Sequence, residues 1–288
     1  MADSSAEPPF MRVGPGIAAS PVVLSVPHAG RAYSPALLKA SRLPVAKLES
    51  LEDRLVDRLI WRAVAEGSTA LVAQTPRAEI DLNRDEREVD AAMVSPPPPA
   101  RALLASARTR GGLGLVPSRI IGSGAIWLQR MTSVELGRRI DQVHRPYHAA
   151  LDRLLEEARD RFGVAILLDC HSMPPRHGEA DSPHIVFGDR HGASIAPHYL
   201  AAAVEAGEAE GFRTARNTPY AGGYITAPHG RPQRGIQGPE LEIDRSAYLG
   251  PDLRSPGPGF ERAARMIAAV AAALARKALE PAQDIAAE

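Results

Sequence analysis

Short apolar runs alternate along the chain with longer stretches of helical period, a pattern that predicts a sheet with helices packed on its faces. The first run, Val22-Val23-Leu24-Ser25-Val26, is halted by Pro27 and reads as a strand. Leu48, Leu51, Leu55, Leu59 and Ala63 then recur every three or four positions, as on one apolar helix stripe ending near Gly67. Strands are expected at 70–74 and 79–83. Thr132 and Glu135 have capping-box spacing at the start of a helix carrying Leu136, Ile140, Val143, Tyr147, Leu151, Leu154 and Ala158, with a kink expected at Pro146. Val164-Ala165-Ile166-Leu167-Leu168-Asp169 is apolar on both faces and belongs centrally in the sheet. A strand near 184–187, a helix near 193–210, a strand at 241–245 and a closing helix over 260–279 complete an α/β pattern.

The pattern predicts a loose tail over 1–19, one domain over 20–280 and a short tail over 281–288, with no internal repeat and no clear linker. Residues 85–131 lack a clean period and contain Pro96 to Pro99, then Gly111, Gly112 and Gly114. A stretch of this length is expected to be either a disordered insertion or a lid, and the sequence favours neither.

Composition narrows the partners. Among 288 residues, 34 basic and 34 acidic side chains cancel, which argues against a general nucleic-acid binder or an anionic-membrane ligand and makes a small molecule the expected partner. The single cysteine, Cys170, excludes an intramolecular disulfide framework and a Cys-rich zinc ribbon, so any zinc must be held by histidine and carboxylate. Asp3, Glu7, Pro8 and Pro9 do not suit a signal peptide, and no run reaches membrane-spanning length. A cytoplasmic protein is expected.

In open α/β sheets ligands sit beyond the carboxyl ends of strands, and two histidines stand there. His28 follows Val22–Val26, and His171 follows Val164–Asp169. Either alone is more often structural; as a pair they point to a metal. A catalytic zinc needs about three protein ligands and an open position. Glu52 and Asp53, one turn into the expected helix, can reach back towards a strand end, or form a solvated acidic pair. In Glu240-Leu241-Glu242-Ile243-Asp244 the three carboxylates share one strand face. Such crowding suits a neighbouring metal that needs a carboxylate base, or the wet face of an edge strand. Arg77, Asn83 and Arg84 offer donors for a substrate carboxylate, with a surface ion pair to Asp81 as the ordinary alternative.

Together these segments, with Pro146-Tyr147-His148 and Gly222-Gly223-Tyr224-Ile225-Thr226, resemble the N-formylglutamate amidohydrolase family from about residue 20 to 250. That family is distantly similar to the zinc carboxypeptidases and aspartoacylases. The resemblance implies a three-layer α/β/α hydrolase fold with a mixed central sheet, and one zinc per chain on His28, His171 and, as third ligand, Asp53. It also implies Glu242 as catalytic base and Asn83 and Arg84 on the substrate carboxylate. The family often has Gln at position 240 and Asn at 244, where this chain has Glu240 and Asp244.

The expected reaction is hydrolysis of an N-acyl amino acid, with His229 available to donate to a developing oxyanion or else an ordinary loop histidine. Three rivals remain: a metallocarboxypeptidase or deacylase for a larger acyl group, a Cys170 nucleophile, and a non-catalytic carboxylate-binding module. Cys170 and His171, adjacent on a strand, point to opposite faces and cannot easily share a proton.

Overall fold

The computed structural model describes residues 8–176 and 182–280, so the expected 281–288 tail lies outside the described residues. Strands β1 (Phe10–Val13), β2 (Val22–Val26), β3 (Thr69–Ala73), β4 (Ala165–Met173), β5 (Ile185–Gly188), β6 (Thr214–Arg216), β7 (Ile236–Gln237) and β8 (Glu240–Asp244) form one sheet. Its order is β1-β3-β2-β4-β8-β5-β6, with β7 paired to the start of β4. β2, β3, β4 and β8 run parallel, whereas β1 is antiparallel to β3 and β5 antiparallel to β8, giving a mixed sheet.

Side-chain alternation along each strand divides the interior into two cores. Val22, Leu24, Val26, Ile166, Leu168, Cys170, Leu241 and Ile243 enter one core, covered by α3 (Pro197–Ala209) and α4 (Phe260–Leu279). Val23, Leu71, Ala165 and Leu167 enter the other, covered by α2 (Arg145–Phe162), which follows α1 (Ser133–Arg139). The result is the expected three-layer α/β/α architecture. Each fully buried aliphatic side chain in these layers contributes about 1.5–3 kcal/mol relative to exposure.

Thr132 caps α1 through its hydroxyl and the Glu135 amide, 3.1 Å apart. The break before Pro146 is a wide π turn over Ile140–His144, which accommodates a ring that lacks an N–H and would crowd a regular turn.

Four expectations are corrected. The loose N-terminal tail contains an edge strand, Phe10–Val13. The 79–83 strand is a succession of turns, with Asp81 donating its amide to the Leu115 carbonyl at 2.7 Å. The 85–131 excursion carries short helical turns and two small strand pairs, 94–95 with 131–132 and 119–120 with 124–125, and buries Leu115, Val116, Ile126 and Trp127 in the α2-side core.

The Leu48–Ala63 stripe is not one helix: it splits into Val45–Leu48, Glu49–Leu51, Val56–Leu59 and Trp61–Ala65. Glu52 is extended and Leu55 is left-handed, at φ 62°. Leu48 and Leu51 pack on the α2 side, while Leu55, Leu59 and Ala63 pack on the α4 side. The chain therefore crosses from one face of the sheet to the other at 52–54, and the Asp53 amide is pinned to the His28 carbonyl at 2.9 Å.

After His28, the chain presses so close to the 74–75 segment that a Cβ on Gly30 would run into the Thr75 carbonyl. Gly30→Ala is therefore expected to destabilise the fold by about 1–3 kcal/mol, as overpacking against unyielding backbone does. A lowered thermal midpoint would register this; an unchanged midpoint would show that the 74–75 segment can give way.

Candidate metal centre

His28 stands just beyond β2. β4 runs longer than the sequence suggested, so His171 lies within the strand rather than after it. Its register partner is Glu242 of β8. Since Leu241 and Ile243 enter the α4-side core, Glu240, Glu242 and Asp244 share the opposite face with His171 and Asp169. β8 lies between β4 and β5, which disposes of the edge-strand reading of the three carboxylates.

Nδ1 of His28 and Nδ1 of His171 are 3.1 Å apart, and Asp53 Oδ2 lies 3.2 Å from the first and 3.0 Å from the second. The donor atoms of these three buried residues fall within 4.8 Å of one another, as a metal site requires. The remaining ring nitrogens are buttressed: His28 Nε2 lies 2.7 Å from Asp81 Oδ1, and His171 Nε2 lies 3.0 Å from Asp169 Oδ2. Metal-ligating histidines commonly donate the second ring N–H to a carboxylate. Asp169, His171 and Glu240 form a second group of donors, but it contains the carboxylate that already buttresses His171 Nε2, and the first group suits a cation better.

Asp53 is fixed on its other side. Its Oδ1 accepts from Ser172 Oγ at 3.1 Å and Arg245 Nη2 at 3.2 Å, leaving Oδ2 towards the two imidazoles. Although burial opposes it, hydrogen bonds from His171 and His28 hold the Asp53 carboxyl well below the usual range. Burial also disfavours charge on His171, yet Asp169 and Asp53 draw its imidazole well above the ordinary histidine value. A divalent cation between the Nδ1 atoms would take the place of that proton.

Glu242 is the other sign of fit. Among the described residues its Oε2 is shut off from solvent and has no hydrogen-bond partner. Burial first, then Glu240 and Asp53, push its carboxyl up to about 8, against the pull of His171. The neighbouring acids are satisfied. Glu240 accepts from the Gly223 amide at 2.7 Å and Asn83 Nδ2 at 3.3 Å, and Asp244 accepts from the amides of Ser246 at 2.8 Å and Arg176 at 3.1 Å. The orphaned carboxylate is thus the one beside the candidate ligands.

The predicted carboxylate grip divides differently. Asn83 lies in the cluster, 3.2 Å from His171 Nε2, and its Oδ1 accepts from the Ile225 amide at 2.8 Å. Arg84 is spent on the protein: Nε donates to the Leu113 carbonyl at 2.9 Å, Nη1 to the Asn83 carbonyl at 2.5 Å, and Nη2 lies 3.7 Å from Asp81. Arg77 donates only Nε, to Asp81 Oδ2 at 2.9 Å, and its Nη groups meet no acceptor among the described residues. Arg77 thus has a free end of the guanidinium fork where Arg84 has none.

His229 stands apart from this cluster. Its Nδ1 is 3.0 Å from Asp152 Oδ1 and its Nε2 is 2.8 Å from His148 Nδ1, so both nitrogens are occupied and neither is free for an oxyanion. Cys170 is fully buried in the α4-side core, its thiol pushed well up by burial and by Asp169, which leaves a nucleophile without means. Sequence reasoning did not single out Asp81, Asp169, Ser172 or Arg245 in these positions. The recurrent pairing of ligating histidines with carboxylates was the signal for the first two. A wide concavity of about 1530 Å³, lined by residues such as Tyr33, Leu37, Trp127 and Met131, contains none of these groups, so donor geometry and not volume marks the site.

The family model for N-formylglutamate amidohydrolase matches residues 20–249. N-formylglutamate deformylase of Pseudomonas putida is 30% identical over 238 residues, covering 80% of this chain and 82% of that protein. Its counterpart in Pseudomonas aeruginosa is 29% identical over 236 residues. The crystal structure of N-formylglutamate amidohydrolase from Ralstonia eutropha JMP134 superposes with a TM-score of 0.83 at 31% identity, covering 94% of this chain and 97% of that one. With the match spanning β2 to the end of β8 and every segment of the cluster between them, this chain belongs to the N-formylglutamate amidohydrolase family.

Proposed function

We propose that this protein is a zinc-dependent amidohydrolase that cleaves an N-acyl amino acid, with N-formylglutamate, yielding glutamate and formate, as the first substrate to test. The observation that carries the reading is the buried Oε2 of Glu242, partnerless among the described residues, beside the His28–Asp53–His171 donor set. One zinc per chain, held by those three residues, would polarise the scissile carbonyl and lower the pKa of water.

Glu242 serves as the general base: its carboxylate takes a proton from the attacking water and returns it to the leaving amine. A base must be ionised to act, so activity falls as pH drops through the Glu242 pKa of the loaded enzyme. Asp81 and Asp169 hold the imidazoles by their Nε2–H groups, and Arg245 and Ser172 hold Asp53. Arg77 offers its free Nη pair to a substrate carboxylate, so binding energy remote from the amide orients the bond to be cut. A small-molecule substrate and a cytoplasmic location complete this reading. Among the described residues no helix is long and apolar enough to cross a membrane.

Glu242→Gln is expected to lower kcat roughly a hundred- to ten-thousand-fold, the usual range for a lost acid–base group. Zinc content measured on the same sample should stay near one per chain. A variant that hydrolyses N-formylglutamate at the wild-type rate rules out Glu242 as base. Removing metal with a chelator should abolish formate release and zinc should restore it; persistent turnover by metal-free protein would defeat the zinc assignment.

Arg77→Lys keeps the charge but loses the planar fork. Since a hydrogen bond to a charged group is worth about 1.5–3 kcal/mol, KM should rise about 10- to 100-fold with kcat much less affected. Steady-state kinetics would separate the two. An unchanged KM would move the carboxylate grip elsewhere.

A further inference from the structure

Behind the Asp81–Arg84 turn, the π turn ending at His144, α2 and the short helix Thr226–His229 bring three histidine rings together, and none of them belongs to the metal cluster. The His148 and His229 rings lie with centroids 5.2 Å apart and planes 3° from parallel, meeting nitrogen to nitrogen; the His144 ring lies 4.4 Å from that of His148. His144 and His148 are four residues apart and share one helix face.

The hydrogen bonds fix the number of protons. His148 Nε2 lies 3.0 Å from the Leu82 carbonyl, which can only accept, so that nitrogen carries hydrogen. His229 Nδ1 lies 3.0 Å from Asp152 Oδ1, and an ionised carboxylate likewise only accepts. Between the rings, the 2.8 Å contact from His229 Nε2 to His148 Nδ1 needs one hydrogen more. Three hydrogens thus stand on two rings that hold two when both are neutral.

We propose that His148 and His229 form a positively charged pair sharing one extra proton, with Asp152 as its counter-charge, and that this pair positions the Leu82 carbonyl. Through that carbonyl it fixes Asp81 and Asn83, the neighbours of Leu82 that touch His28 and His171, so the positioning role rests on the function proposed above.

The groups facing the pair agree with this charge. Asp152 also receives Arg231 Nη2 at 2.9 Å, and its carboxyl is held below the usual range, chiefly by the His229 hydrogen bond. Burial, with His144 and His229, pushes His148 down to about 2, which favours its neutral form, and the Asp152 contact at His229 Nδ1 sets the counter-charge on the other side of the pair. His144 donates Nε2–H to the Arg84 carbonyl at 2.8 Å and is itself pushed down by burial. Tyr147 and Tyr224 meet His148 edge-on, at 5.9 and 5.3 Å, and supply no counter-charge.

The test uses the full chain labelled with nitrogen-15 at histidine. At neutral pH the spectrum should show His229 protonated on both nitrogens and His148 on Nε2 alone. Two neutral rings would overturn the proposal. The spectrum is read without turnover, so a failure of the proposed reaction cannot be mistaken for a failure of this assignment.

Asp152→Asn then tests the positioning role at a partly exposed residue. Loss of the counter-charge lowers the pKa of the pair, so the proton leaves at lower pH. The alkaline limb of kcat/KM should move down in pH and kcat should fall about tenfold, as for other groups that orient a site from behind its ligands. Metal content should hold, and Asp152→Glu should restore both. An unmoved alkaline limb with wild-type kcat in Asp152→Asn would overturn the positioning role.

Discussion

A continuous run of buried polar contacts crosses the carboxyl end of the sheet, from Asp81 to His28, Asp53, His171 and Asp169, then through Ser25 Oγ to the Tyr147 hydroxyl. The gaps along it are 2.7 to 3.2 Å, and every member is at most 2% exposed. Ionisable groups this far from water are costly unless each meets a partner of opposite character. Most of the surrounding architecture supplies those partners or holds them still.

Each element makes one contribution to that run. β2 and β4, adjacent and parallel, deliver the two imidazoles to the same end of the sheet. The face-crossing at 52–54 inserts Asp53 between them, and Arg245, directly after β8, grips its outer oxygen. The turns at 76–84 bring Asp81 beneath His28 and Asn83 beside His171. Gly223 permits the last approach, since a side chain there would occupy the volume of the Asn83 amide. Amide donors thus satisfy Glu240, while Glu242 is the acid of this face that keeps a buried oxygen without a partner among the described residues, so burial leaves its carboxyl pushed up and ready to hold a proton.

The sequence by itself determined the parts that depend on local pattern. Largely apolar runs marked β2, β3 and the first half of β4 because strands buried on both faces need no alternation, and α4 was legible over its whole length from its period. Strand-end placement found His28 and His171, and alternation in 240–244 put three carboxylates on one face, because both signals are short in range. The family resemblance then put forward Asp53 as third ligand and Glu242 as base, which no spacing in this chain required.

Tertiary structure alone decided what lies between those parts. A periodic leucine stripe does not reveal that its first half packs below the sheet and its second half above, so the helix break that frees Asp53 was invisible along the chain. Arg77 and Arg84 look alike in sequence, yet Arg84 is spent on its neighbour's carbonyl and on the Leu113 carbonyl that the fold brings to it, whereas Arg77 keeps its fork open among the described residues. His229 and His148, 81 residues apart, meet only because α2 and the 226–229 turn close on the same loop. Period and motif report the conformation and chemistry of neighbours along the chain; which donor finds which acceptor is set by long-range packing, and here that packing decides the electrostatics of the site.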